Sequence, residues 1–233
     1  MRLILLEYIL KKSSGFIVAA LLATFSYNAC ATLVVGGTRL LYDGSKKEGS
    51  ISVRNPDNTP YLVQTTLDNL DGSTKKPPFV ITPPLYRLDG NKENIMRVIM
   101  TDALPQDKES MYWMHVKGIP SSPSDKNTLQ IAVETTIKLI YRPASMKGTD
   151  VEKEGSKLSF HAAGNTLQVT NKAPCFINFN EITVDGKKLA AVSYVAPGST
   201  ASFALPAGVT GGAVQYTIIS DVGAVGPDHS ASI

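Results

Sequence analysis

From Thr32 onward the sequence is a series of short apolar or alternating runs, each closed by a turn signal, and it holds no long 3.6-residue apolar period. A chain that cannot lay a stripe of side chains along a helix, but alternates repeatedly, buries its apolar surface by packing sheets face to face. Thr32–Tyr42 is stopped by Asp43-Gly44, Ser50–Arg54 by Asn55-Pro56-Asp57-Asn58, and Tyr61–Leu67 by Asp68–Gly72. Phe79–Thr82, Ile95–Met100 and Met111–Ile119 follow, and Asn127–Pro143, NTLQIAVETTIKLIYRP, closes the series as its longest member. Seven runs of this kind predict an immunoglobulin-like sandwich.

Arg142 to Gly148 breaks the series, and a second, smaller set begins: Lys157–His161, Thr166–Asn171, Phe176–Val184, Ser202–Leu205 and Ala213–Ile219. Asp185-Gly186, Pro197-Gly198 and Gly211-Gly212 punctuate it. The expectation is an all-β chain with one domain over residues 32–144 and a second over 145–233. The junction near 144–147 is short enough to hold them at a fixed angle.

The first 31 residues are set apart. Lys11-Lys12 precede the apolar run from Gly15 to Tyr27, and Ala29-Cys30-Ala31 puts small residues at −3 and −1 of a cleavage site. This is the pattern of a secretory signal peptide, with an apolar segment too short to span a membrane. A rival reading takes Cys30 as a lipidated first residue, but Tyr27-Asn28-Ala29 lacks the aliphatic residue of such sites. Removing Arg2, Glu7, Lys11 and Lys12 with the leader takes the formal net charge from +3 to +1, which is no nucleic-acid footprint. Only Cys175 is left, so an intrachain disulfide is excluded and the exported chain needs a real apolar core, with no membrane insertion of the mature form.

Signatures of catalysis and metal binding are weak, and the expectation is no enzyme, no cofactor and no metal. His115, His161 and His229 are far apart and in no metal-ligand spacing, and no nucleophile elbow, zinc-protease motif or phosphate loop occurs. His115, within Met111-Tyr-Trp-Met-His-Val116, and Cys175, after Pro174, read as structural residues. Asp43, Asp71 and Asp89 adjoin glycine and belong to turns.

The stretch Asn127–Pro143 carries more information. Leu129, Ile131 and Val133 share one face of a strand, and Gln130, Ala132 and Glu134 share the other. Lys138 stands inside the apolar run Ile137-Lys138-Leu139-Ile140, which demands either a surface position or a charged partner. Strict alternation puts Lys138 on the face opposite Leu129, Ile131 and Val133. The two groups serve one partner only if the strand twists or bulges near Thr135-Thr136, or if the partner wraps an edge.

In the order and spacing of its motifs, the chain resembles the periplasmic chaperones of the chaperone–usher pathway, which assemble pili or fimbriae. The motifs are Thr38-Arg39-Leu-Leu-Tyr-Asp43-Gly44, Asn55-Pro56, Pro60-Tyr61-Leu62, Thr82-Pro83-Pro84-Leu-Tyr-Arg87-Leu88, Leu104-Pro105-Gln106-Asp107-Lys-Glu109-Ser110, Tyr112-Trp113, Ile119-Pro120 and Tyr141-Arg142-Pro143-Ala144. The resemblance runs from about Thr38 to Asp221. It implies two immunoglobulin-like β-sandwich domains arranged in an L with a cleft between them. It further implies that Arg39 and Lys138 bind the C-terminal carboxylate of a pilus subunit. Leu129, Ile131 and Val133 would be lent to an incomplete subunit as a donor strand. Arg97, Glu109 and Asp221 would form a buried charged cluster bridging the domains. The short connection Ile119–Asn127 matches the branch that serves rod-like pili, whereas His115 stands where the family usually has asparagine.

The implied partners are fimbrial subunits and an outer-membrane usher, in the periplasm, with a self-capping dimer through the same strand in the free protein. The alternative within the pathway is a structural pilus subunit. Against it stand the position of Arg39, too early for a long donor extension, and the segment Gly226–Ile233, read as polar and turn-like.

Overall fold

The computed structural model describes residues 33–121 and 129–233, so the signal peptide expected over residues 1–31 and the positions around Asn127 lie outside the described residues. Residues 33–121 and 129–142 form one sandwich. Its first sheet has the order β1 (Val34–Val35), β3 (Gly49–Arg54), β7 (Glu93–Met100) and β5 (Phe79–Thr82). Its second has the order β2 (Arg39–Asp43), β9 (Val133–Arg142), β8 (Ser110–Pro120), β4 (Tyr61–Asn69) and β6 (Leu85–Leu88). The facing rows meet in a core that includes Val53, Val63, Met96, Met114 and Leu139.

The first predicted run is two strands. β1 pairs antiparallel with β3, whereas β2 pairs parallel with β9 in the other sheet. Gly36 and Gly37 make the crossing: a Cβ on Gly36 would stand 2.5 Å from Ser52 Oγ, so a larger residue would have to displace that side chain. This crossing aligns Arg39 with Lys138, Leu41 with Ile140 and Asp43 with Arg142.

A 3-10 turn (Ala144–Met146) and one short helix, α1 (Val151–Gly155), lead into the second sandwich. Asp150 caps α1 by accepting from the amides of Glu152 and Lys153. One sheet is β10 (Ser159–Ala163), β11 (Thr166–Asn171) and β15 (Ser199–Ala204). The other is β13 (Lys187–Lys188), β12 (Ile177–Val184), β16 (Ala213–Ile219) and β17 (Val225–Ser232), with β14 (Tyr194–Val195) also paired to β12. Asp185 and Gly186 form the two-residue turn of the β12–β13 hairpin, both at positive φ, 50° and 72°. Leu167, Val169, Ile177, Ile182, Val214 and Ile218 fill this second core.

The C-terminal segment differs from its reading as a turn: β17 pairs with β16 along most of its length. Its residues are mostly small or polar and none is fully buried, although Ala231 packs partly against the second core, so the apolar alternation that marks a half-buried strand is missing. Its register slips where Pro227 interrupts the ladder, between the pairs Thr217–Asp228 and Ile219–Val225. Among the described residues no helix is long and apolar enough to cross a membrane.

The strand expected from Asn127 onward is regular only from Val133. Its register against β8 is unbroken from Val133–Gly118 to Tyr141–Ser110, so the expected irregularity near Thr135-Thr136 is not a bulge. The odd row Ile137, Leu139 and Tyr141 faces the core, and Val133 belongs to that same row. The even row Lys138, Ile140 and Arg142 faces the other way, toward the second sandwich.

This row separates two kinds of residue. Leu139→Ala removes a fully buried side chain and is expected to lower unfolding stability in urea by about 2–5 kcal/mol. Ile131→Ala, at an exposed position, is expected to stay within about 0.5 kcal/mol of wild type.

Candidate functional site

The even row of β9 lines a cleft between the two sandwiches. The parallel ladder sets Arg39 directly beside Lys138, two cations on neighbouring strands pointing the same way. Both reach across to the second sandwich. Arg39 Nη1 donates to the Ile219 carbonyl at 3.3 Å, and Lys138 Nζ donates to Asn178 Oδ1 at 2.6 Å. The Lys138 ammonium also lies 5.8 Å from the centre of the Trp113 ring and 5.5 Å from that of Tyr194, within range of cation–π attraction. Beside them opens a cavity of about 300 Å³, lined by Thr38, Arg39, Trp113, Lys138, Asn180 and Ile219 among others.

The electrostatics of this pair are those of two half-buried like charges. Burial, and secondly the Arg39 charge, bring the Lys138 ammonium down to about 8. Burial also holds the Arg39 guanidinium below its ordinary value, with Asp221 pulling the other way. The Arg39 Nε is buried with no hydrogen-bond partner. Like charges set side by side with a spare donor favour an anion with two acceptor atoms, and a carboxylate is the simplest such group.

From this cleft an open strand edge leads away. β2 covers only Lys138–Arg142, so Val133–Ile137 of β9 has β8 on one side and no strand on the other among the described residues. Upstream stand Leu129, Ile131 and Val133, at 84%, 66% and 43% exposure. They continue, by parity, the row that fills the sandwich core, but lie outside the core that Ile137, Leu139 and Tyr141 join. Gln130 Nε2 donates to the Ser121 carbonyl at 3.0 Å and ties this segment back to the end of β8.

A compensated charge cluster stands at the far end of the same row. Arg142 Nε donates to Glu109 Oε1 at 2.7 Å, while Nη1 and Nη2 form a bidentate pair with Asp221 at 2.6 and 2.7 Å. The second oxygen of Glu109 accepts from the Phe176 amide at 2.8 Å, so the cluster joins β9, the residue leading into β8 and the second sandwich. Burial pushes the Glu109 carboxyl above the ordinary carboxylate range, and Arg142 pulls it back. Burial alone would lower Arg142, but its hydrogen bond to Asp221 and the charge of Glu109 raise it above the usual guanidinium value. Met111, Ile140 and Phe176 pack as an apolar cluster at the same junction.

The expected cluster of Arg97, Glu109 and Asp221 is therefore corrected at its cation. Arg97 is on β7 in the other sheet, its side chain 64% exposed, 3.8 Å from Glu48 at the surface. Arg142 takes the bridging place. The signal was present in the sequence: Arg142 has the parity of Lys138, so a strand that points Lys138 into the cleft points Arg142 there too. Asn178 and Tyr194 carry no signal in the sequence spacing because they reach Lys138 from the second sandwich, whereas Trp113 is its direct cross-strand neighbour on β8. His115 lies outside the cavity, its Nδ1 2.9 Å from Thr136 Oγ1 and its Nε2 3.3 Å from Asp68. Cys175 is fully buried, and that burial pushes its thiol up to about 12.

The comparisons with known proteins agree with one another. The family model described as pili and flagellar-assembly chaperone, PapD N-terminal domain, matches residues 32–147, and that for the pili assembly chaperone PapD C-terminal domain matches 153–230. The probable fimbrial chaperone LpfB of Escherichia coli O157:H7 is 44% identical over 217 residues, covering 90% of this chain and 93% of that protein. The chaperone protein FimC of Escherichia coli K12 is 36% identical, covering 84% and 83%. Among solved structures, a chain of the Salmonella enterica SafA pilin–SafB chaperone complex superposes with a TM-score of 0.80 at 30% identity, covering 89% of this chain and 99% of that one. The Escherichia coli chaperone DraB gives 0.76 at 36% identity, covering 86% and 98%.

Arg142→Ala leaves Glu109 buried without its counter-charge and is expected to cost about 3–5 kcal/mol of stability in chemical denaturation, whereas Arg97→Ala is expected to change it by less than about 0.5 kcal/mol. Lys138 gives a pH signature. Its folded value of about 8 lies below its ordinary 10.5, so the unfolded chain binds more protons between those values and this group makes stability rise with pH there. The melting temperature of wild type relative to Lys138→Met is expected to climb between pH 7 and 10. A flat or falling difference contradicts the depressed value.

Proposed function

The chain belongs to the pili-assembly chaperone family, a non-enzymatic family that serves fimbrial subunits, and on that premise we propose that it stabilises those subunits in the periplasm by donor-strand complementation and delivers them to an outer-membrane usher. The observation that carries this reading is the continuity between the Arg39–Lys138 pair and the open edge of β9. A subunit's C-terminal carboxylate sits against the two cations. The subunit's adjoining strand extends along Val133–Ile137, where main-chain donors and acceptors are free to pair. Leu129, Ile131 and Val133 then enter the subunit's unfinished core. Each buried aliphatic contributes roughly 1.5–3 kcal/mol before ordering costs.

The anchor sets the register. A shift of one residue would present Gln130 and Ala132 in place of Leu129 and Ile131, and the lent side chains would face the wrong way. The Arg142–Glu109–Asp221 cluster holds the cleft in shape while the edge is occupied. In the absence of a subunit, the same edge serves a second copy of the chain as a self-capping dimer. The reading as a structural subunit is not favoured: the relatives named above are chaperones.

Co-expression with a pilin, followed by affinity capture from the periplasmic fraction, tests the proposal. Wild type is expected to retain the subunit there. Lys138→Ala, Arg39→Ala and Ile131→Glu, each folded by circular dichroism, are expected to lose at least nine-tenths of it, as removal of a charge-assisted contact or burial of a carboxylate implies, by an order-of-magnitude estimate of about tenfold or more. Wild-type recovery by the cleft variants would remove the carboxylate anchor, and by Ile131→Glu the donor strand.

A further inference from the structure

Neither cation of the cleft is idle in the free chain. Lys138 Nζ is bound to Asn178 Oδ1 at 2.6 Å, and Arg39 Nη1 to the Ile219 carbonyl at 3.3 Å. Both acceptors come from the second sandwich. Asn178 is 1% exposed, and it stands on β12 between Ile177 and Phe179, both in the second core, so alternation points it out of its own sandwich. Its cross-strand partner is Tyr194, whose ring flanks the same ammonium. An ammonium has only donors, so the amide must present its oxygen to it.

Resting on the chaperone reading above, we infer that Asn178 is the free-state counter-group of the anchor: its amide oxygen holds the Lys138 ammonium in the position a subunit carboxylate takes over, and capture proceeds by exchange of one for the other. The residue type fits this role. An aspartate there would neutralise the ammonium permanently and compete with any arriving carboxylate. An apolar residue would leave a half-buried ammonium without an acceptor and unaimed. A neutral amide oxygen binds the cation but yields to a full negative charge. Asn178 thereby competes with the arriving carboxylate for Lys138 and tunes the discrimination between a free C-terminus and a blocked one. Because Ile219 does the same for Arg39, seating a carboxylate releases two links between the sandwiches, while the Arg142 cluster remains.

The test uses fluorescence anisotropy of a labelled ten-residue peptide of alternating apolar residues, made once with a free C-terminal carboxylate and once as the C-terminal amide. Wild type is expected to prefer the carboxylate form by about tenfold, and its failure to do so overturns the anchor reading itself. Given that preference, Asn178→Ala is expected to bind the carboxylate peptide about three- to tenfold tighter with unchanged affinity for the amide, as loss of a competing hydrogen bond requires. Asn178→Asp is expected to bind the carboxylate peptide at least about tenfold more weakly and to bring the two peptides level. Unchanged or weaker carboxylate binding by Asn178→Ala, or a retained preference in Asn178→Asp, overturns the exchange while leaving the anchor standing. If Asn178→Ala does not fold, Asn178→Ser carries the same expectation and Asn178→Asp the same veto.

Discussion

Alternation along one strand governs this molecule. From Ile137 to Arg142, alternate side chains of β9 fill the first sandwich, and the others face the second. Neither row can be moved without moving the other, because a strand has only two faces and a slip of one residue exchanges them. The parallel partner β2 makes the arrangement useful. It stops at Lys138, placing a second cation beside the first and leaving the upstream half of β9 uncovered on that side. A charge site and a bare ladder edge thus meet at one point on one strand.

The two charged groups on the even row obey opposite rules. Arg142 is surrounded by acceptors: a carboxylate on each side, one of them bidentate. Such a cluster is costly to break and adds little net stability over an apolar replacement, so its contribution is geometric. Arg39 and Lys138 are cations beside each other with neutral oxygens for company, and burial lowers both. One end of the row joins the sandwiches through paired charges, and the other through two cations bound to neutral oxygens.

Much of the fold was legible because sandwich strands announce themselves by period two and by their turns: Asp185-Gly186 adopts the positive φ that its composition promises. What failed to show was structure without a row of large apolar side chains. β17, mostly small and polar, left no pattern, and the break between β1 and β2 is marked only by two glycines. In the cleft, nothing in spacing alone brings Arg39 to Lys138; the resemblance to a family did that. It also supplied Arg97, which the structure places on the wrong sheet for bridging, whereas parity along β9 points to Arg142. Asn178 was beyond reach, since its meaning depends on a lysine from another domain.

β17 has a consequence for crowding. As the last strand of its sheet it displays a second ladder edge to solvent, and an exposed edge recruits other chains indiscriminately. Pro227 removes a donor in the middle of that edge, the register slip beside it twists the remainder, and Asp228 adds a charge that adding strands would have to bury. A sticky surface is useful to a cell only when its counterpart elsewhere on the molecule is inert. The second sandwich thus ends on a blunted rim, while the uncovered edge of β9 in the first keeps an unbroken register.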